Sequence, residues 1–356
     1  MEAAVPLAEP VGVVHKQAAA ATSGGVEHTA APSTPAAPRP AARAPAASAT
    51  APASGSTRGG AATAVYAGLV ALLGAASPPL ILMPQLSAKF MFGSAADPPD
   101  AQHTHLMQLA AGTQLVMAGV AAALIHTWCT PAWRPAPADA LNLSLVAYGL
   151  SAVLTDIYWA SAFSPWGWVG TLVADALLAT AAASQMGPAR IADAVKRLPG
   201  AVRSFSHPRR GGSMLASLLM VLAPAFVAAG AAYYLAPQTT LTHTFGYAYG
   251  KSAFWLWKAI GLGCVMVLPA CAATLQDKAA GEGALTGTAA QALNAGLVSA
   301  AALHLWVLTP ILAGGEVGGV LLPAVAGTWA LAGLAAVLGL ASTKAGPTSG
   351  AAFKRE

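Results

Sequence analysis

Residues 213–236 read SMLASLLMVLAPAFVAAGAAYYLA, and not one of them carries a charge. About 20 apolar residues in a helix, each rising ~1.5 Å, cross a hydrocarbon core of about 30 Å. A membrane-spanning strand would instead alternate apolar and polar residues and would need barrel partners, and no such alternation is visible here. This stretch therefore reads as a transmembrane helix. The rest of the chain repeats the pattern.

The 356 residues are 56% hydrophobic and 9% charged. A soluble domain carries about 25% charged residues, so the composition excludes an ordinary water-soluble enzyme. Eight apolar spans are read at about 62–84, 104–128, 140–161, 164–186, 213–236, 252–275, 286–313 and 317–342. The expected fold is an all-α polytopic membrane protein of about eight helices. All are rich in Ala, Leu, Val and Gly, small residues that let helices pack closely in lipid.

Residues 1–61 are dominated by Ala, Pro, Ser and Thr, too poor in large apolar groups to offset the entropy of ordering. They read as a disordered tail, with a composition compatible with a chloroplast targeting peptide; no secretory signal pattern is present. The expected organisation is then a first four-helix repeat (62–186), a basic connector (187–212), a second four-helix repeat (213–342) and a short basic tail (343–356). In the connector, ARIADAVKRL places Ile191, Val195 and Leu198 on one helical face, which suggests a short interfacial helix.

Loop charge orients the spans. The connector carries Arg190, Lys196, Arg197, Arg203, Arg209 and Arg210, expected to meet anionic lipid headgroups. With eight spans, Arg58, Arg134, Lys278, Lys344, Lys354 and Arg355 fall on the same side, leaving only Lys89 and Lys251 opposite. Basic residues collect on the cytoplasmic or, in a plastid, stromal side. Both termini are assigned there.

The chain also echoes itself. LMPQLSAKFMFG (82–93) and LAPQTTLTHTFG (235–246) share L-x-P-Q-x6-F-G, with Pro84, Gln85, Phe92 and Gly93 matching Pro237, Gln238, Phe245 and Gly246 at an offset of 153. ALNLSLV (140–146) and ALNAGLV (292–298) match at 152. An ordered series of matches at nearly constant offset points to internal duplication. Each copy holds an even number of spans, so the copies are expected to be parallel. Within the motif, the prolines read as helix stops and the remainder as loop.

Ionisable groups inside a bilayer are costly and mark candidate sites. Asp156, Asp175, Lys258 and His304 fall within spans, all at or beyond the midplane toward the poorly charged face. They form the expected intramembrane polar site, with an Asp156–Lys258 ion pair as one way to neutralise two of them. Asp175, near mid-depth and too short to reach the headgroups, is the expected proton-coupling group. Cys129, Cys264 and Cys271 show no metal spacing and read as apolar filler. His103-x-His105 reads as a solvated helix entrance. Haem or pigment ligation by histidine finds no supporting motif, so no cofactor, metal site, catalytic residue or nucleic-acid partner is assigned. The leading functional expectation is a carrier or channel for a small solute or ion. The alternative is a non-catalytic membrane subunit or assembly factor binding protein or lipid, and the third a membrane-embedded enzyme.

Overall fold

In hydrocarbon every backbone N–H and C=O must be satisfied within its own segment, so runs of Ala, Leu, Val and Gly fold as helices there. The computed structural model describes residues 55–93, 101–128, 135–204, 213–246, 250–281, 285–314 and 319–344. Among these it contains no strand, and eight helices are long and apolar enough to cross a membrane. The protein is an all-α, multi-pass membrane protein.

In chain order the helices are α1 (Gly55–Leu82), α2 (Pro84–Phe92), α3 (Ala101–Trp128), α4 (Pro135–Tyr158) and α5 (Pro165–Ser204), followed by α6 (Met214–Leu235) and α7 (Pro237–Phe245). Then come α8 (Lys251–Leu262), a π-helical turn (Gly263–Val267) running straight into α9 (Leu268–Ala279), α10 (Gly287–Gly314) and α11 (Leu322–Lys344). Seven of the eight spans agree with those read from sequence to within about five residues, while the fourth, read as 164–186, runs on to Pro199 across a kink at Gly187. The tail before residue 55, Cys129, Arg209, Arg210 and residues 345–356 lie outside the described residues, as does the Arg203 side chain.

Two short helices correct the reading of the repeated motif. Pro84 and Pro237 do not end a span in a loop; each opens a nine-residue helix, α2 and α7. Proline suits the first helical turn because the N–H it lacks would have no intrahelical partner there. The break sits one residue earlier, at Met83 (φ −131°, ψ 52°) and Ala236 (φ −127°, ψ 57°). The closing glycines take positive φ, 61° at Gly93 and 81° at Gly246. Their ψ values differ: Gly246 is left-handed helical at 10°, while Gly93 lies at −138°, a region nearly closed to side-chain-bearing residues. Gly246→Asn is therefore expected to leave thermal stability in detergent almost unchanged. Gly93→Asn should cost about 1–3 kcal/mol, and equal losses at both sites would contradict this assignment.

α1 packs on α3, α4 on α5, α6 on α8 and α9, and α10 on α11; α3 also crosses α10, and α4 meets the π turn and α9. Two of the close crossings are glycine on glycine. Gly119 of α3 faces Gly296 of α10, and Gly230 of α6 faces Gly261 of α8. The π turn has a local cause in Pro269, which has no N–H for the carbonyl four residues back and crowds that carbonyl with its ring. Pro323 lies in the first turn of α11, at the start of the eighth span, and Pro310 is inside α10.

α5 passes through Gly187 (φ 73°, ψ 161°) with an abrupt kink. Beyond it Ile191 and Ala194 pack against Leu143 and Met186, while Val195 and Leu198 stay exposed. Arg190 forms an ion pair with the buried Asp139 at the start of α4, so this member of the basic set is engaged by protein. Lys196 is exposed and lies 3.7 Å from Asp193, and Arg197 is exposed.

The tryptophans near the start of α8 are turned into the protein. Tyr158 and Trp166 are exposed, but Trp255 and Trp257 are buried. Phe92, the motif phenylalanine, packs with Trp255 and Phe163 at ring separations of 5.9 and 5.4 Å. Its counterpart Phe245 packs 5.7 Å from Trp257. His103 is buried rather than solvated, with Nε2 2.8 Å from the Ser252 hydroxyl.

Candidate functional site

Asp156 lies two residues from the end of α4, with its side chain turned inward and 0% exposed. Its Oδ1 accepts a hydrogen bond from Trp255 Nε1 at 2.9 Å. Its main-chain oxygen accepts from Trp168 Nε1 at 3.1 Å. Two indoles thus hold the end of α4 in place. Its Oδ2 receives no hydrogen bond from the protein. The Thr171 hydroxyl is the nearby neutral donor, but it is directed at carbonyls of its own helix, Gly167 O at 3.2 Å and Trp168 O at 3.1 Å. An unfilled buried acceptor is costly unless something else occupies it.

Asp175 approaches Asp156 from α5, so that the two carboxyls act directly on one another. Counting from Pro165, Asp175 is ten residues into its helix, or about 15 Å at the helical rise, near mid-membrane. Both carboxyls line a cavity of about 630 Å³ enclosed by α1, α2, α3, α4, α5 and α8. Tyr148, Thr155, Thr171, Thr113 and Gln114 add further polar groups to its wall. The outer end is apolar: Pro79, Leu80, Met83, Leu86 and Phe90 line it, with Gly170 of α5 opposite. Met83, Leu86 and Phe90 are 51%, 61% and 62% exposed, and Gly170 meets no atom within 4 Å of its Cβ position. The cavity therefore opens sideways between α1, α2 and α5.

The other two intramembrane candidates stand apart. Lys258 donates to the main-chain oxygen of Tyr234 and lies 4.4 Å from the centre of that ring. It makes no ion pair with Asp156 and does not line the cavity. A thread of contacts links the two regions, since the Tyr234 hydroxyl is 3.1 Å from Thr155 Oγ1. His304 is buried on α10, where Nδ1 donates to Ala300 O at 2.8 Å and the ring stacks on Trp329 at 3.7 Å. Its Nε2 is left without a partner. Of the four residues, the structure brings together Asp156 and Asp175.

Tyr148, Trp255, Thr171 and Gln114 are cavity residues that the sequence reading did not single out. Two of them carried a signal. Tyr148, Ala152, Thr155 and Asp156 recur at helical spacing on one face of α4. Gly167, Thr171, Ala174 and Asp175 do the same on α5. A stripe of small and polar residues ending in a carboxylate, on each of two successive spans, is the mark of facing cavity walls. No group of three or more His, Cys, Asp or Glu able to hold a metal ion occurs among the described residues.

The chain matches no protein-family model and no curated protein sequence. Its function is accordingly read from the cavity.

Proposed function

We propose that this integral membrane protein is a carrier for a small solute, coupled to protons through Asp156 and Asp175. The observation that carries this reading is the pair of facing carboxyls at the inner end of a 630 Å³ cavity. Ionised carboxylates in a low-dielectric site repel one another, so a shared proton is the natural occupant of the empty pair. A solute that replaces that proton couples its own movement to the proton's.

A cysteine in place of Ala174, which lines the cavity, tests the carrier reading in a chain whose native cysteines are replaced. A membrane-impermeant thiol reagent should modify it in both right-side-out and inside-out vesicles, because a carrier opens to each face in turn. Reaction from one face only, or from neither, would leave a binding subunit in place of a carrier.

We also read the two halves as tandem copies about an axis along the membrane normal, with the basic connector on the cytoplasmic or stromal side. Matching geometry supports this. α2 and α7 have the same length and the same proline start. Ser164 N donates to Met91 O at 2.8 Å, and Gly319 N to Thr244 O at 3.1 Å; the two acceptors lie 153 residues apart, the offset of the motif. On this correspondence the second copy's equivalent of the cavity is filled. Trp329 stands near the position of Asp175 and packs on His304 and, at 5.5 Å, on Phe226.

A further inference from the structure

The inner end of the cavity is anionic or proton-bridged, and none of its lining residues is Lys, Arg or His. α4 contributes Tyr148 beside the two carboxyls, and α1, α2, α3 and α8 place no ionisable side chain on the wall. Lys89 near the end of α2 is exposed and outside, and Lys258 of α8 is turned to Tyr234. The protein thus supplies two facing carboxyls and withholds a counter-ion from them. Charge complementarity then assigns the positive charge to the ligand.

The outer end specifies the rest of the ligand. Met83, Leu86 and Phe90 are exposed on the protein's outside while lining the same cavity. Gly170 leaves a gap opposite them that any larger side chain would narrow. A soluble inorganic cation would gain nothing from such walls and would lose its hydration. An organic cation with an apolar body gains at both ends, by burying its hydrocarbon and by seating its head on the acid pair with Trp255 and Tyr148 alongside.

We infer that the cavity binds a cationic amphiphile, admitted sideways from the bilayer between α1, α2 and α5, with its ammonium head at Asp156 and Asp175 and its apolar body along Met83, Leu86 and Phe90. This rests on the reading of the acid pair as the solute site and gives that solute a chemical class. A proton alone, or a neutral lipid held by its chain, are the competing occupants.

The test uses the full-length protein in lipid nanodiscs and quenching of tryptophan emission. The probes are nitroxide-labelled dodecyltrimethylammonium and, as the uncharged comparison, nitroxide-labelled dodecanol. Partition into the bilayer quenches both in a linear, non-saturating way. The cation should add a saturable component reported by the indole beside Asp156, and Trp255→Phe should remove it. Asp156→Asn should weaken the saturable component about tenfold or more, the loss expected for a charge-assisted contact.

Gly170→Phe keeps both carboxyls and fills the gap, so it should abolish saturation and serves as the test should Asp156→Asn fail to fold. Equal saturation by dodecanol and the cation would overturn the charge assignment. Unchanged cation binding in Gly170→Phe would overturn lateral entry. Saturable cation binding together with an unreactive cysteine at position 174 would remove the carrier and keep the ligand. A reactive cysteine without cation binding would do the reverse.

Discussion

Apparent affinity for dodecyltrimethylammonium should rise about tenfold per pH unit in the range where the acid pair holds its shared proton, and Asp175→Asn should move that dependence to a different pH range. The sign follows from competition. A permanent cation has no proton to lose and occupies the site that the proton bridges, so raising the pH removes its competitor. Each cation bound should release about one proton, because the pair exchanges one positive charge for another. The release can be counted in weakly buffered nanodisc suspensions with a pH indicator.

In Asp175→Asn the remaining carboxyl, Asp156, keeps its hydrogen bond from Trp255 but has no acid partner across the α4–α5 interface. Proton release and the pH dependence should then move together to the pH range in which Asp156 titrates alone. A variant whose pH range is the same as the wild type's would show that the exchange lies outside the pair, and the coupling mechanism would fall. Tyr148 and Thr171 are unchanged in this substitution and provide the internal comparison, since both line the same cavity.

The second large effect is on stability. Gly230→Val should destabilise the protein by about 3 kcal/mol or more, at the upper end of overpacking losses. At Gly230 a Cβ would lie 2.6 Å from Gly261 O and 2.6 Å from Val265 N. Those are backbone atoms of α8 and its π turn, so no rotamer change relieves the clash and the two helices must separate. The comparison is Gly68→Val on α1, where a Cβ meets nothing within 4 Å. Gly68→Val should unfold with wild-type behaviour in a thermal melt in detergent, while Gly230→Val melts earlier or is recovered in low yield. Parity between the two would mean that close α6–α8 packing contributes little to holding the spans together.

The spans were legible because burying charge in hydrocarbon is so expensive that a run such as 213–236 admits few other readings. The motif prolines were harder. A proline after an apolar run can end one helix or begin the next, and the choice is made by the backbone angles of Met83 and Ala236, which carry no residue-type signature. The site was legible in depth but not in direction. Asp156 and Lys258 could be placed at similar heights by counting residues. Whether they face each other depends on how α4, α6 and α8 are arranged around one another.

In the structure α8 turns Trp255 toward Asp156 and Lys258 toward α6. An ion pair between neighbours at equal depth was therefore a fair inference from chemistry, undone by rotation about the helix axis. Trp255 was also hidden by its type: a tryptophan near a span end suits the headgroup region as readily as the interior. Only the packing of Phe92 and Phe163 against it distinguishes the two.

The sideways opening beside Gly170 changes what concentration means for this protein. A chamber reached through the bilayer samples its ligand at the abundance found among the lipids, not in the surrounding water. Each buried methylene raises that abundance by about 0.8 kcal/mol of partition free energy, so a weak intrinsic fit is enough to fill the site. The same enrichment applies to every amphiphile nearby, charged or not. Discrimination then falls to the deepest few ångströms, where two carboxyls and an indole decide which of the many molecules crowding the entrance is retained.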